Sequence, residues 1–349
     1  MKAETLRIAT FNTELTREGP GLLLRDIQTG EDRQVEAAAE VIARAGPDVI
    51  LLAGFDYDLD GAALGAFAER IAAHGAGYPH RFALRPNTGW ASGIDLDGDG
   101  RLGGPGDGQG FGRFAGEGGM AVLSRLPVDA SSVKDYSEFL WRDLPGTLIG
   151  GADLSREAAA VQRLSTTGHW AVPVLLSDGR PLTLLAFHAT PPVFDGPEDR
   201  NGRRNHDETA FWLRLIDGDL PFAPPAAPWA ILGDANLDPV DGDGRTEALD
   251  AMLSDHRLQD PAPSSAGAVS AAAVQGGANV GQRGDPSFDT TDWRDAPGPG
   301  NLRVDYVLPS ADLRIRDAGV WWPPEGESGA ETAAAASRHR LVWVDIELP

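Results

Sequence analysis

The sequence contains no cysteine. That absence removes disulfides, thiolate nucleophiles and thiolate metal ligands together, so any metal must be held by carboxylate, amide or imidazole groups. No apolar run approaches the roughly 18–20 residues of a membrane helix, and none is expected to span a bilayer. The opening MKAETLRIATFN lacks the apolar stretch of a secretory leader. Positive charge is also scarce: 30 Lys and Arg stand against 52 Asp and Glu in 349 residues, a formal net charge of −22. A field of that sign repels a phosphodiester backbone, which disfavours extended duplex nucleic acid as a partner but leaves a small phosphorylated ligand open.

What is present suffices for a large core, since 42% of the residues are hydrophobic. The 43 Gly and 26 Pro have no fixed period and predict long punctuated loops, at 221–228, 261–284 and 323–336 among others. Strand and helix patterns alternate evenly along the chain, which predicts a single domain over residues 5–349 with long Gly/Pro-rich insertions. LRIATFNTEL (6–15), DVILLAGF (48–55), GGMAVLSRLPV (118–128), HWAVPVLL (169–176), 182–187, PWAILGDAN (228–236), LRVDYVLP (302–309) and HRLVWVDIEL (339–348) have strand character. Helical spacing marks 32–45, 59–74 and 206–216.

Polar residues stand directly against several of those apolar runs. Asn12 and Glu14 end the first, His188 follows the fifth, Asp234 and Asn236 end the sixth, Asp305 lies within the seventh and His339 opens the last. Such placement predicts one site assembled from strand ends. Carboxylate and amide oxygens such as those of Asn12, Glu14, Asp234 and Asn236 suit Mg²⁺ or Mn²⁺ as metal ligands, while a histidine oriented by a carboxylate suits proton transfer.

The words TFN, GMAVLSR, the central His, GDAN, VDY and the terminal His, taken in that order, resemble the endonuclease/exonuclease/phosphatase family, which includes DNase I-like nucleases, sphingomyelinases and inositol polyphosphate phosphatases. The resemblance implies a four-layer α/β sandwich with two central mixed β-sheets and divalent-metal-assisted cleavage of a phosphoester. It makes Asn12, Asp234 and Asn236 metal and phosphate-binding positions, His339 the catalytic histidine, Asp305 its orienting carboxylate and His188 a donor to a nonbridging oxygen. Similar wording around FDGPEDRNG in secreted bacterial members implies an extracellular or periplasmic setting, with a cytoplasmic one still open.

Two positions depart from the family pattern. The family's Gln-Glu after the second strand is replaced, with Gly54 where its metal carboxylate belongs, and Asp56 is the expected substitute. The family's Ser-Asp-His reads Ser337-Arg338-His339, which puts a cation where a second carboxylate would stand, and Arg338 is expected to grip phosphate bidentately.

Two further clusters are open to alternative readings. Arg204, Asn205 and His206 follow His188 closely, within a run that also holds Arg200 and Arg203, and form either a phosphate-binding island or a loop whose arginines pair with Asp195, Glu198 and Asp199. Asp95, Asp97 and Asp99, with Asp107 beyond, have the opening spacing of a Ca²⁺ loop without its twelfth-position carboxylate, and read either as a Ca²⁺ site or as a solvated acidic loop. The leading expectation is a phosphomonoesterase or phosphodiesterase acting on a small substrate. A nuclease and a catalytically degenerate Ca²⁺-binding surface module are the alternatives.

Overall fold

The computed structural model describes residues 5–295 and 297–347. Eleven strands form among them: β1 (Thr5–Leu15), β2 (Val49–Phe55), β3 (His80–Phe82), β4 (Gly119–Ser124), β5 (Lys134–Asp135), β6 (Gly168–Leu175), β7 (Pro181–His188), β8 (Trp229–Asp234), β9 (Asp305–Pro309), β10 (Arg314–Trp321) and β11 (Leu341–Glu347). They build two mixed sheets, ordered β10-β11-β1-β2-β4-β3 and β5-β6-β7-β8-β9.

Alternation of side chains decides how those sheets pack. Leu6 and Ile8 of β1, Leu184 and Ala186 of β7, Ala230 and Leu232 of β8, and Val342 and Val344 of β11 all point between the sheets and are buried there. Each such Leu or Val removed from water contributes about 1.5–3 kcal/mol. The opposite parity faces helices. Ala9, Phe11, Ile50 and Leu52 pack against α1 (Leu22–Thr29), α2 (Arg33–Ala45), α3 (Ala62–Ala73) and α8 (Ala330–Ala336), whereas Leu185, Phe187 and Ile231 pack against α5 (Arg200–Asp217) and α6 (Glu247–Ser254). The result is the four-layer sandwich with two central mixed sheets, as expected.

Local signals explain several boundaries. Asp32 caps α2 by accepting the Val35 amide at 2.9 Å, and Gly46 closes it in the left-handed conformation. Two stretches expected to be loops contain helices instead: α7 (Ala266–Gln275) lies within 261–284 and α8 within 323–336. Both are alanine-rich, and alanine has the strongest intrinsic helix preference. Ser265 caps α7 through the Ala268 amide at 3.1 Å, and Ala268 closes the intersheet core beside Trp322. The short α4 (Arg156–Val161) is capped by Ser155, whose hydroxyl accepts the Ala158 amide at 3.0 Å.

Candidate active site

The parity that fills the core also builds the site. His188 continues the Leu184, Ala186 row of β7, Asp234 continues the Ala230, Leu232 row of β8, Asp305 shares the face of Val307 on β9, and Asn12 continues the Ile8 row of β1. Register sets them side by side, because His188 pairs with Asp234 and Asp234 with Asp305. Gly233 permits that alignment: a Cβ there would lie 1.8 Å from the Phe187 carbonyl oxygen, and its φ is +148°. Across the gap between the sheets, Asn12 Nδ2 donates to Asp234 Oδ2 at 2.8 Å.

The remaining members arrive on loops. His339 Nδ1 lies 3.0 Å from Asp305 Oδ2 and 3.8 Å from Asp234 Oδ2, and His188 Nε2 lies 3.5 Å from Asp234 Oδ2. Asn236 adopts a left-handed φ of 51°, donates its amide to Asp234 Oδ1 at 2.7 Å and anchors its side chain on the Ala189 carbonyl at 2.8 Å. Thr290 donates to Asp305 Oδ2 at 2.9 Å while accepting the amides of Val304 and Asp305, and Trp293 packs edge-on to the His339 ring at 5.4 Å. The sequence reading passed over Thr290 and Trp293, which lie in a Gly/Pro-rich loop with no apolar periodicity to mark them.

Burial sharpens the electrostatics. Burial opposes a charged His339, but the Asp305 and Asp234 carboxylates outweigh it and push the imidazole up to about 9. His188 moves down, because burial and the neighbouring His339 outweigh attraction to Asp234. Burial, reinforced by Asp305, raises Asp234. The centre therefore holds a charged histidine beside a neutral one around two buried carboxylates.

Asp234, Asp305 and His339 each offer a ligand atom, and these atoms lie within 4.8 Å of one another. Asp305 Oδ1 is buried with no hydrogen-bond partner. Two carboxylates and an imidazole, one oxygen orphaned away from water, fit a divalent cation, and this buried cluster could chelate one.

The two departures from the family pattern meet at the lip of this cluster. Gly54 has φ +59°, and a Cβ there would lie 2.3 Å from Asn12 Oδ1, so no larger residue fits while Asn12 holds its place. Beside it β1 bulges against β2, and Glu14 takes a left-handed φ of 49° with its amide bonded to Asn12 Oδ1 at 3.1 Å. Glu14 is engaged by Arg338. Its Oε2 accepts the Arg338 amide at 2.8 Å and the Ser337 hydroxyl at 3.1 Å, while its Oε1 accepts Nε at 2.8 Å and Nη2. Burial alone would raise the Glu14 carboxyl, but Arg338 outweighs it and holds the group below the usual range.

Several residues expected in the site do structural work instead. Asp56 accepts the backbone amides of Arg17 at 2.8 Å and Gly118 at 2.9 Å, one on each oxygen, so it pins two loops. Burial lifts it to about 6, with those amides pulling the other way. Arg204 is not available to phosphate: it is buried on α5 and donates to the carbonyls of Leu164, Gln109, Arg163 and Ser165. Asn205 is fully buried and ties the Thr190 carbonyl to the Ala235 carbonyl, both at 2.7 Å, which clamps the segments following His188 and Asp234. His206 lies 2.9 Å from Asp207, whose other oxygen accepts Trp141, Thr147 and Leu148. Glu208 completes this inner face of α5 by accepting the Thr166 amide and the Thr190 amide, the latter at 2.7 Å. The arginine island is thus the first turns of a helix that carries the site's scaffold.

Asp95, Asp97 and Asp99 do come together, with one oxygen from each within 4.8 Å of the others. Their carboxylates already accept amides of their own loop, Gly98 and Gly100 on Asp95, Asp99 on Asp97 and Arg101 on Asp99. Asp107 does not complete that cluster. It is buried and accepts the Leu96 amide at 2.9 Å and the Gly104 amide at 3.0 Å.

Strand-end carboxylates, one charged and one neutral histidine, and an amide bridging the two sheets form a centre with the groups that phosphoester chemistry uses. The Endonuclease/Exonuclease/phosphatase family model matches residues 9–339, and the chain belongs to that family. No curated protein sequence matches it. Among solved structures it is similar to an endonuclease/exonuclease/phosphatase from Beutenbergia cavernae DSM 12333, with a TM-score of 0.55 and 18% identity over 99% of this chain and 72% of that one. It is similar also to a family protein from Leptotrichia buccalis C-1013-b, with a TM-score of 0.52 and 15% identity over 98% of this chain and 100% of that one. A third is mannosyl-6-phosphatase Bt3783 from Bacteroides thetaiotaomicron VPI-5482, with a TM-score of 0.51 and 12% identity over 98% of this chain and 100% of that one. At these identities the likeness is one of fold.

Proposed function

We propose that the protein hydrolyses a phosphoester of a small substrate, as a phosphomonoesterase or phosphodiesterase assisted by Mg²⁺ or Mn²⁺. The observation that carries this reading is the buried Asp234, Asp305 and His339 cluster, with an orphaned carboxylate oxygen, at the end of β8 and the start of β9. Asp234, flanked by Asn12 and Asn236, would hold the cation, which when bound supplies charge neutralisation on the phosphoryl oxygens and an activated water.

The protein's own groups do the rest. Asp305, fixed by Thr290, orients the His339 ring and keeps it charged while no cation is present; in that form the histidine would serve as a proton donor and phosphoryl clamp, with the cation left to the carboxylates. His188 is neutral by the same burial and points one nitrogen toward Asp234, leaving its Nδ1 without a partner. Among the described residues no helix is long and apolar enough to cross a membrane. The net charge of −22 favours a small substrate over duplex nucleic acid.

Gly54 and Arg338 favour the rival reading, a non-catalytic binding module, and one experiment separates the two. Metal-stripped protein is screened against phosphomonoesters, phosphodiesters and plasmid DNA with Mg²⁺, Mn²⁺ and Ca²⁺ restored separately. Metal-dependent turnover of a small ester, lost in Asp234→Asn and in His339→Ala, is expected. Turnover absent with every metal, or indifferent to both substitutions, overturns the assignment.

A further inference from the structure

We propose that Glu14 and Arg338 exchange partners when the site fills: substrate phosphate takes the Arg338 guanidinium, and the Glu14 oxygen thereby uncovered becomes a ligand for the divalent cation. The inference rests on the phosphoesterase reading above and adds to it an order of assembly and a carboxylate supplied from β1.

The two oxygens of Glu14 are held differently. Oε2 is bonded to fixed points, the Arg338 backbone amide and the Ser337 hydroxyl, and that hydroxyl is itself anchored on the Asn12 carbonyl at 2.8 Å. Oε1 is held by the guanidinium, through Nε and Nη2. Withdrawal of the guanidinium therefore frees Oε1 without moving Glu14. The Arg338 side chain is 66% exposed and that of Glu14 only 22%, so the arginine is the mobile partner and the carboxylate the fixed one. Its planar fork matches phosphate as well as carboxylate, and a dianionic phosphate offers it more charge.

Chain connectivity sets both groups beside the reacting centre. Arg338 immediately precedes His339, and Glu14 is bonded through its amide to Asn12, which bridges to Asp234. Glu14 and His339 are near enough that each charge stabilises the other. Position 54 cannot carry a carboxylate beside Asn12, and Asp56 is committed to two amides. In the free protein Arg338 neutralises Glu14, so a cation arriving alone must displace a guanidinium, whereas one arriving with phosphate finds the oxygen open.

The test is calorimetric titration of full-length, metal-stripped protein with Mn²⁺ alone, inorganic phosphate alone, and each in the presence of the other. In the native protein each ligand is expected to tighten the other, by the same factor. Arg338→Ala should bind Mn²⁺ alone about tenfold more tightly than the native protein, because Glu14 is released, and phosphate more weakly. Glu14→Gln should do the reverse, binding phosphate more tightly and Mn²⁺ more weakly. Both variants should show reduced coupling. Mn²⁺ affinity unchanged or weakened in Arg338→Ala, or phosphate affinity unchanged or weakened in Glu14→Gln, overturns the exchange, and thermal melts of both variants verify folding. Failure of the exchange alone leaves Asp234→Asn-sensitive Mn²⁺ binding and turnover intact. Failure of the phosphoesterase reading removes both.

Discussion

Replacing Asp305 by Asn isolates the charge that keeps His339 protonated. The imidazole rises from its ordinary 6.5 to about 9 despite burial, which corresponds to roughly 3 kcal/mol in favour of the charged form. Asp305 touches Nδ1 at 3.0 Å and Asp234 stands off at 3.8 Å, so Asp305 carries the larger part. Asparagine keeps an acceptor for Thr290 but removes the charge, and the His339 midpoint should fall to about 7 or lower. The stability consequence follows from the sign. A histidine raised in the folded state contributes fully below its unfolded value of 6.5, and that contribution is lost as pH rises through about 9. Metal-stripped native protein should therefore lose stability, on the order of 3 kcal/mol, across that window, and Asp305→Asn should lose far less. Urea unfolding at intervals from pH 6 to pH 9.5 measures the slope, and NMR titration of the ring protons measures the midpoint. An unchanged His339 midpoint in the variant would refute the argument that Asp305 sets the proton.

Three other perturbations probe the frame around the centre. Gly54→Ala places a methyl carbon 2.3 Å from Asn12 Oδ1 on a left-handed backbone, and should cost about 2–3 kcal/mol in urea unfolding and weaken Mn²⁺ binding; a silent substitution would mean that Asn12 moves freely. Asn205→Ala removes a buried amide that joins two carbonyls at 2.7 Å and should cost about 2–3 kcal/mol of stability; a raised KM at unchanged stability would instead put Asn205 in contact with substrate. Asp107→Ala should raise proteolytic cleavage within 95–107 equally with and without Ca²⁺, because Asp107 holds loop amides, and protection by Ca²⁺ that the variant loses would reverse that reading.

The fold was legible along the longer elements with one apolar face, but the eight-residue helices α1 and α6 were not marked although each buries such a face. The alternation of β1 and the capped helix α2 declare themselves within a dozen residues. β10 was not legible, because as an edge strand it exposes most of Arg314–Asp317 and its register slips against β11, which breaks the period of two. α7 and α8 were read as loops since glycine and proline flank their alanines, and what holds α8 is packing on α2, a tertiary contact that composition does not report.

The site divides in the same way, by the range over which its logic operates. Asn12, His188, Asp234 and Asp305 were recoverable because strand parity carries each polar residue past the core row it terminates. Arg204 and Asn205 misled because their partners are backbone carbonyls, which leave no mark in a sequence, and a cationic run at a helix start looks the same whether it faces solvent or holds the chain together. Arg338 could be seen as a cation in a carboxylate's place, but its partner lies 324 residues away. Glycine at position 54 clears the space beside Asn12, the bulge turns Glu14 toward the last loop, and Arg338 meets it there. Under the proposed exchange the two departures from the family pattern act as one: Glu14 of β1 would supply the carboxylate that Gly54 leaves out of β2, and Arg338 holds it until phosphate arrives.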